Sequence, residues 1–173
     1  MPELPEVETV VRNLREPLIG RQITSMWYDW ERTIHSPSPQ DFAARVAGQK
    51  FQAINRRAKY ILCELTHDVL VIHLKMTGRL YVAESSTVHD ADRWVHFRLD
   101  LENGTQLRFS DSRKFGKVYL TNDLQTITNK LGPEPLDDHF TADDFYQRIK
   151  RYHRTIKALL LDQGFIAGVG NIY

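Results

Sequence analysis

The amino terminus, Met-Pro-Glu-Leu-Pro-Glu-Val-Glu-Thr (residues 1–9), places a nucleophile next to groups that can move protons. Pro2 follows an initiator Met1, which is removable when the next residue is small. Removal leaves Pro2 with a free secondary amine. An α-amino group titrates near pH ~8 and a lysine near ~10.4, so roughly a tenth of such an amine is unprotonated at neutral pH without any tuning. Glu3 and Glu6 lie beside it. An amine flanked by carboxylates is equipped to attack a carbonyl-like carbon. The same stretch also reads as a helix start. Pro5 suits the first helical turn, and Glu6 and Glu8 suit the positive end of the helix dipole. Val7, Val10, Val11, Leu14 and Leu18 recur at helical spacing. Both readings hold together if the helix positions the terminus.

The elements that must carry this stretch are legible in outline. The spacing predicts a helix over 5–16 that stops before Pro17 and Gly20, then a strand over 22–30. Ser38 caps a short helix that has Pro39 at its first position and ends at Gly48. Short apolar or alternating runs follow at 49–55, 60–65, 69–74, 79–83, 95–101, 106–110 and 117–121, with a polar loop at 84–93. Asn103-Gly104 predicts a type I′ hairpin turn. Many short strands at close spacing imply a sandwich or barrel. Leu131-Gly132-Pro133-Glu134-Pro135 reads as a linker. Beyond it, Thr141 caps a helix through about 152, a second helix covers 154–163, and 164–171 is glycine-rich.

Bulk properties set the class. The chain of 173 residues is long enough for one or two domains, and 42% hydrophobic with 26% charged residues is ordinary for a soluble globular protein. No apolar run approaches a membrane span, and no signal peptide is visible, so no membrane partner is expected. The single cysteine, Cys63, reads as a buried small hydrophobe, which fits a reducing cytoplasm. Net charge is only +1, so any nucleic-acid surface must come from distribution. Basic residues cluster at Arg56, Arg57 and Lys59, at Arg113, Lys114 and Lys117, and at Lys150, Arg151, Arg154 and Lys157.

Several motifs resemble one family. Residues 1–9 resemble the start of the formamidopyrimidine-DNA glycosylase family, whose relative is endonuclease VIII, and Leu4 favours the formamidopyrimidine branch. Arg57-Ala58-Lys59-Tyr60, His73-Leu74-Lys75-Met76-Thr77-Gly78, Asp111-Ser112-Arg113-Lys114-Phe115-Gly116 and Gly168-Val169-Gly170-Asn171-Ile172-Tyr173 resemble further family segments. The resemblance implies a predominantly β fold with α elements. It would be an antiparallel β-sandwich domain (1–132) opened by an N-terminal helix, followed by the first helices of a helix–two-turn–helix domain (133–173). It implies a base-excision-repair DNA glycosylase with AP lyase activity on oxidised purines, with damaged double-stranded DNA as partner. Pro2, Glu3, Glu6 and Lys59 would be catalytic. His73 would contact a phosphate, and Met76 and Phe115 would fill the space of an everted base. Arg113 would bond the orphaned partner base, and Asn171 with nearby amides and Lys157 would grip phosphate. A bacterial, nucleoid-associated monomer is the expectation.

The sequence departs from the family pattern in two places. The family carries two histidines near the strand after the polar loop. Here His96 matches one, and Trp94 stands in place of the other. The family also continues further, usually to a four-cysteine zinc finger, whereas this chain carries one cysteine and so no cofactor or metal is expected in it. The expectation is therefore that these 173 residues act poorly alone. The alternatives are a truncated, non-catalytic DNA-contacting domain and an endonuclease VIII-like glycosylase for oxidised pyrimidines.

Overall fold

A computed structural model describes all residues, 1–173. The first helix, α1 (Leu4–Leu18), buries Val7, Val11, Leu14 and Leu18 along one stripe. It runs past Pro17, further than the sequence predicts. A proline in the last turn removes one backbone bond at a place where the ladder is ending, and the Ile19 N–H closes the helix on the Arg15 carbonyl at 3.0 Å. Nine strands follow: β1 (Ile23–Tyr28), β2 (Ile34–Ser36), β3 (Phe51–Arg57), β4 (Tyr60–Leu65), β5 (Val69–His73), β6 (Arg79–Glu84), β7 (Val95–Leu101), β8 (Thr105–Ser110) and β9 (Lys117–Thr121). The helix α2 (Pro39–Val46) separates β2 from β3, with the Ser38 side chain accepting the Asp41 N–H at 3.2 Å.

The strands form two sheets, ordered β1-β7-β8-β6 and β2-β9-β5-β4-β3. All pairs are antiparallel except β2 with β9, which is parallel. That short strand, in a serine- and proline-rich segment, carries no periodicity from which the sequence could announce it. The apolar faces of both sheets meet in one core containing Phe42, Phe51, Ile72, Phe97 and Phe109. The helices close its open sides. α1 packs on β3 and β6, the last strands of the two sheets, and α2 packs on β1 and β2, the first strands. Covering edge strands in this way removes sites of unwanted pairing. It also sets the N-terminus of α1 at the rim of the sandwich.

The β7–β8 hairpin departs from the predicted turn. Only Gly104 takes a positive φ, of +82°, whereas a type I′ turn needs positive φ at Asn103 as well. Instead the Gly104 N–H bonds the Leu101 carbonyl at 3.1 Å, and the Asn103 side chain accepts the Thr105 N–H at 3.2 Å. This is a three-residue loop with glycine at its left-handed position. The polar loop of residues 84–93 contains a short 3-10 helix, Asp90–Trp94. It is tied down by the buried Arg108, which donates to Asp92 Oδ2 at 2.9 Å and to the Thr87 and Glu84 carbonyls at 2.8 and 3.0 Å.

After β9 come α3 (Gln125–Thr128), α4 (Ala142–Ile149) and α5 (Ile156–Leu161). The last two are shorter than predicted: α4 ends at Ile149, and α5 begins only after Thr155, whose ψ of 146° is extended, and ends at Leu161. They share a small separate core of Leu159, Phe165 and Ile166, flanked by Phe140, Phe145 and Ile149. Because α1 closes the main core, truncating its central contact should be costly. Leu14→Ala is expected to lower stability by about 2–5 kcal/mol. Urea unfolding checks this, with a shifted midpoint at an unchanged slope.

Candidate active site

Glu3 stands immediately before α1 and is 3% exposed. A buried carboxylate must be paired or it will not stay ionised. Here its two oxygens accept the backbone N–H groups of Ile172 and Tyr173, each at 2.9 Å. Glu6 Oε2 accepts the backbone N–H of Glu3 at 2.9 Å, which locks the start of the helix. The approach is close enough to need glycine. A Cβ on Gly170 would lie 2.1 Å from the Glu3 carboxyl carbon, and one on Gly168, at φ +101°, would meet Leu4 at 2.6 Å. Burial by itself pushes the Glu3 carboxyl up. The amides of Tyr173, Ile172 and Asn171 and the charge of Lys59 outweigh it and hold the group below the usual carboxylate range.

Lys59 is buried and sits in the two-residue turn between β3 and β4, after Ala58 at φ +54°. Burial lowers its ammonium below the ordinary lysine range, and the charges of Glu3 and Glu6 oppose that shift. The turn is gripped by Glu134, whose carboxylate accepts from the Ala58 N–H, from Arg56 Nη1 at 2.8 Å and from Arg57 Nη1 at 3.0 Å. Arg56 also pairs with Glu8 at 3.1 Å, and Arg57 donates to the Gly132 carbonyl at 2.7 Å. Two of the three cations in the first basic cluster are thus consumed by internal pairs.

His73 ends β5. Burial pushes its imidazole down to about 3, with the Lys75 and Lys59 charges adding to the effect, so the ring is neutral. The Lys75 N–H donates to Nδ1 at 3.0 Å, which leaves the ring proton on Nε2 as a donor. The following turn, with Lys75 at φ +55°, leaves Met76 42% exposed. Asp111, itself buried, couples this turn to the loop after β8. Its carboxylate accepts from Thr77 Oγ1, from the Arg113 N–H at 3.2 Å and from the Gly116 N–H at 2.6 Å. The Phe109 ring packs between the two loops. A Cβ on Gly78 would meet it at 2.9 Å and one on Gly116 at 2.3 Å. Phe115 is left 48% exposed, with the Arg113 guanidinium 4.8 Å from its ring centre.

Two cavities meet at Met76. One, of about 530 Å³, is lined by Pro2, Met76, Arg79, Trp94 and Ser112 among others. The other, of about 560 Å³, is lined by Trp30, Arg32, Lys75, Arg113, Lys114 and Phe115, again with Met76. The structure thus gathers Pro2, Met76, Arg113 and Phe115 at one rim, with Glu3, Glu6 and Lys59 coupled by charge close to the terminus. Three predicted residues fall elsewhere. His96 is buried in the β7 bulge, and its Nδ1 pairs with Asp29 at 2.7 Å, so it does not line either cavity. Lys157 and Asn171 line a separate, mostly apolar cavity of about 260 Å³. The amides beside Asn171 hold the Glu3 carboxylate rather than standing free for a phosphate.

Comparison with known proteins shows the family. A family profile described as the formamidopyrimidine-DNA glycosylase N-terminal domain matches residues 1–118, and one described as the H2TH domain of the same glycosylase matches residues 131–173. The chain belongs to the formamidopyrimidine-DNA glycosylase family. It is 46% identical to the formamidopyrimidine-DNA glycosylase of Protochlamydia amoebophila and 50% identical to that of Chloroflexus aurantiacus, in each case over all of this chain and 63% of the relative. It therefore spans less than two thirds of those relatives' length. Among solved structures it matches Lactococcus lactis formamidopyrimidine-DNA glycosylase, non-covalently bound to DNA with an AP site. The TM-score is 0.91 at 31% identity, covering 99% of this chain and 66% of that one. A structure of MutM in complex with DNA containing carbocyclic 8-oxo-G matches at TM-score 0.90 and 32% identity.

The sequence marks Trp94 only as a departure from the family pattern, and it points to no role for Glu134 or Asp111. Glu134 sits in a segment read as a linker, and only the tertiary structure brings it to Ala58. Asp111 opens a motif that was visible, and its ability to serve several loop amides at once is a general property of short acidic side chains. The Glu3 environment makes a pH prediction. A carboxyl whose folded pKa lies below its unfolded value of about 4.5 stabilises the fold above that value, and the contribution is lost as pH falls towards the folded value. Wild type should therefore exceed Glu3→Gln in stability at pH ~6, and the gap should narrow between pH ~4.5 and lower values. Denaturant midpoints measured across that range check it.

Proposed function

We propose that this chain carries the N-terminal catalytic part of a base-excision-repair enzyme, a DNA glycosylase with AP lyase activity that removes oxidised purines from duplex DNA. The observation that carries the reading is the location of Pro2. It lines a cavity together with the exposed Met76, Glu3 follows it directly in the chain, and the buried Lys59 is coupled by charge to Glu3 and Glu6. With Met1 removed, the Pro2 nitrogen attacks C1′ of an everted nucleotide. The glycosidic C–N bond breaks, and its electron pair leaves with the base, which takes up a proton. The sugar ring opens as the C1′–O4′ bond breaks, and Glu3 handles the proton at O4′. The product is an iminium.

A secondary amine suits this chemistry for a specific reason. Its iminium has no N–H proton to lose, so it keeps its positive charge and acts as an electron sink. Loss of a C2′ proton then expels the 3′ phosphate, with the C3′–O electron pair leaving on phosphate. Lys59 supplies an ammonium whose proton burial makes easier to release, and Glu6 holds the backbone of Glu3 in place. Enzymes that act on a base must take it out of the stack, and an apolar wedge fills the gap. Met76 and Phe115 have the required exposure. Arg32, Lys75, Arg113, Lys114 and Lys117 around the second cavity take part in no ion pair and can meet phosphates, while neutral His73 offers its Nε2 proton. Relatives crystallised with AP-site and carbocyclic 8-oxo-G DNA support the substrate class.

Borohydride trapping tests the proposal. Met1-free, full-length protein mixed with abasic-site duplex should give a covalent adduct that maps by mass spectrometry to Pro2, and protein retaining Met1 should give none. A Met1-free protein without adduct, or an adduct on a lysine, would overturn it.

A further inference from the structure

Trp94 is the one aromatic residue among those lining the cavity that holds Pro2, and it is 40% exposed in a mixed wall that includes Met76, Arg79, Asp90 and Ser112. A half-exposed indole on a loosely held loop would be unremarkable surface. The backbone that carries this one is firmly held. Its carbonyl accepts the Asp111 N–H at 2.8 Å, which joins it to the residue that organises the Met76 and Arg113 loops. The 3-10 turn that ends at Trp94 is fixed by Arg108 and Tyr81 on Asp92, at 2.9 and 2.6 Å, and by Ser110 Oγ on the Ala91 carbonyl at 2.6 Å. The Arg93 guanidinium lies 5.0 Å from the indole centre and steadies the ring by a cation–π contact.

We infer that Trp94 is a specificity-determining residue that stacks on the purine of the nucleotide presented to Pro2. The inference rests on the glycosylase reading given above. The cavity, at about 530 Å³, falls within the range of ~300–1,000 Å³ typical of small-ligand sites and so has room for one nucleotide unit. The remaining lining is polar or, at Pro2, Met76 and Ala91, aliphatic, so the indole is the only aromatic face in the lining that can lie flat against a planar ring. Base–aromatic stacking is worth ~1–3 kcal/mol per base. The chemical class recognised is a planar heterobicyclic base, not a phosphate. The expected signature is therefore a loss confined largely to the step in which the base is still attached.

The test compares two single-turnover rates in Met1-free protein: excision of an oxidised purine from duplex DNA, and strand cleavage of the same duplex carrying a preformed abasic site. In Trp94→Ala, the ratio of excision to cleavage should fall on the order of tenfold, in line with the stacking range. Trp94→Phe, which keeps a ring, should restore most of that ratio. An equal loss on both substrates would overturn the inference and point to a backbone contact. An unchanged ratio in Trp94→Ala would overturn it as well. Because Trp94 is exposed, a folding defect is not expected, and Trp94→Phe reports on stacking even if the alanine variant is unstable. Failure of the wild type to form the borohydride adduct would instead sink the glycosylase reading, so the two failures are distinguishable.

Discussion

A carboxylate buried at the front of α1 needs partners, and the structure supplies them from the other end of the chain. An unpaired charge in such a place costs several kcal/mol even after relaxation, whereas hydrogen bonds to a charged group contribute about 1.5–3 kcal/mol each. Glu3 takes two of these from Ile172 and Tyr173. The balance favours ionisation only because the chain passes close by, and it can pass close by only because Gly168 and Gly170 carry no side chain there. This contact ties the β-rich part to the residues that follow α5, and it positions Pro2, one residue earlier, at the rim of a cavity.

A second buried carboxylate does a comparable job on the other side of that cavity. Asp111 collects donors from two separate loops, and the Phe109 ring fills the space between them. Met76 and Phe115 therefore project from backbones that cannot move independently. Glu134 repeats the pattern at the turn that carries Lys59. The turns that carry Met76, Phe115 and Lys59 thus owe their place to acidic residues, Asp111 and Glu134, that are given no part in the chemistry.

Charge distribution follows from the same pairing. The net charge of +1 hides a sorting of cations into two groups. Arg56, Arg57 and Arg108 are spent on Glu134, Glu8 and Asp92 inside the fold. Arg32, Lys75, Arg113, Lys114 and Lys117 gather around one cavity together with Trp30 and Phe115. A nearly neutral chain can therefore present a locally basic, aromatic-lined face, which is the kind of surface that meets a phosphate backbone.

What the sequence determined on its own was local. The apolar stripe of α1, most strand positions and the hairpin at Gly104 follow from periodicity and from glycine's tolerance of positive φ, and these depend on neighbours a few residues away. The motifs around Pro2, Lys59, Met76 and Arg113 stood out through their resemblance to family segments, each a short contiguous run. The tertiary structure alone decided what was paired with what. That Arg56 and Arg57 are neutralised, that His96 faces Asp29 inside the fold, and that Glu3 occupies the amides beside Asn171 all involve partners far apart along the chain. A charged side chain is free or consumed according to its nearest opposite charge in space, and sequence spacing carries no information about that distance.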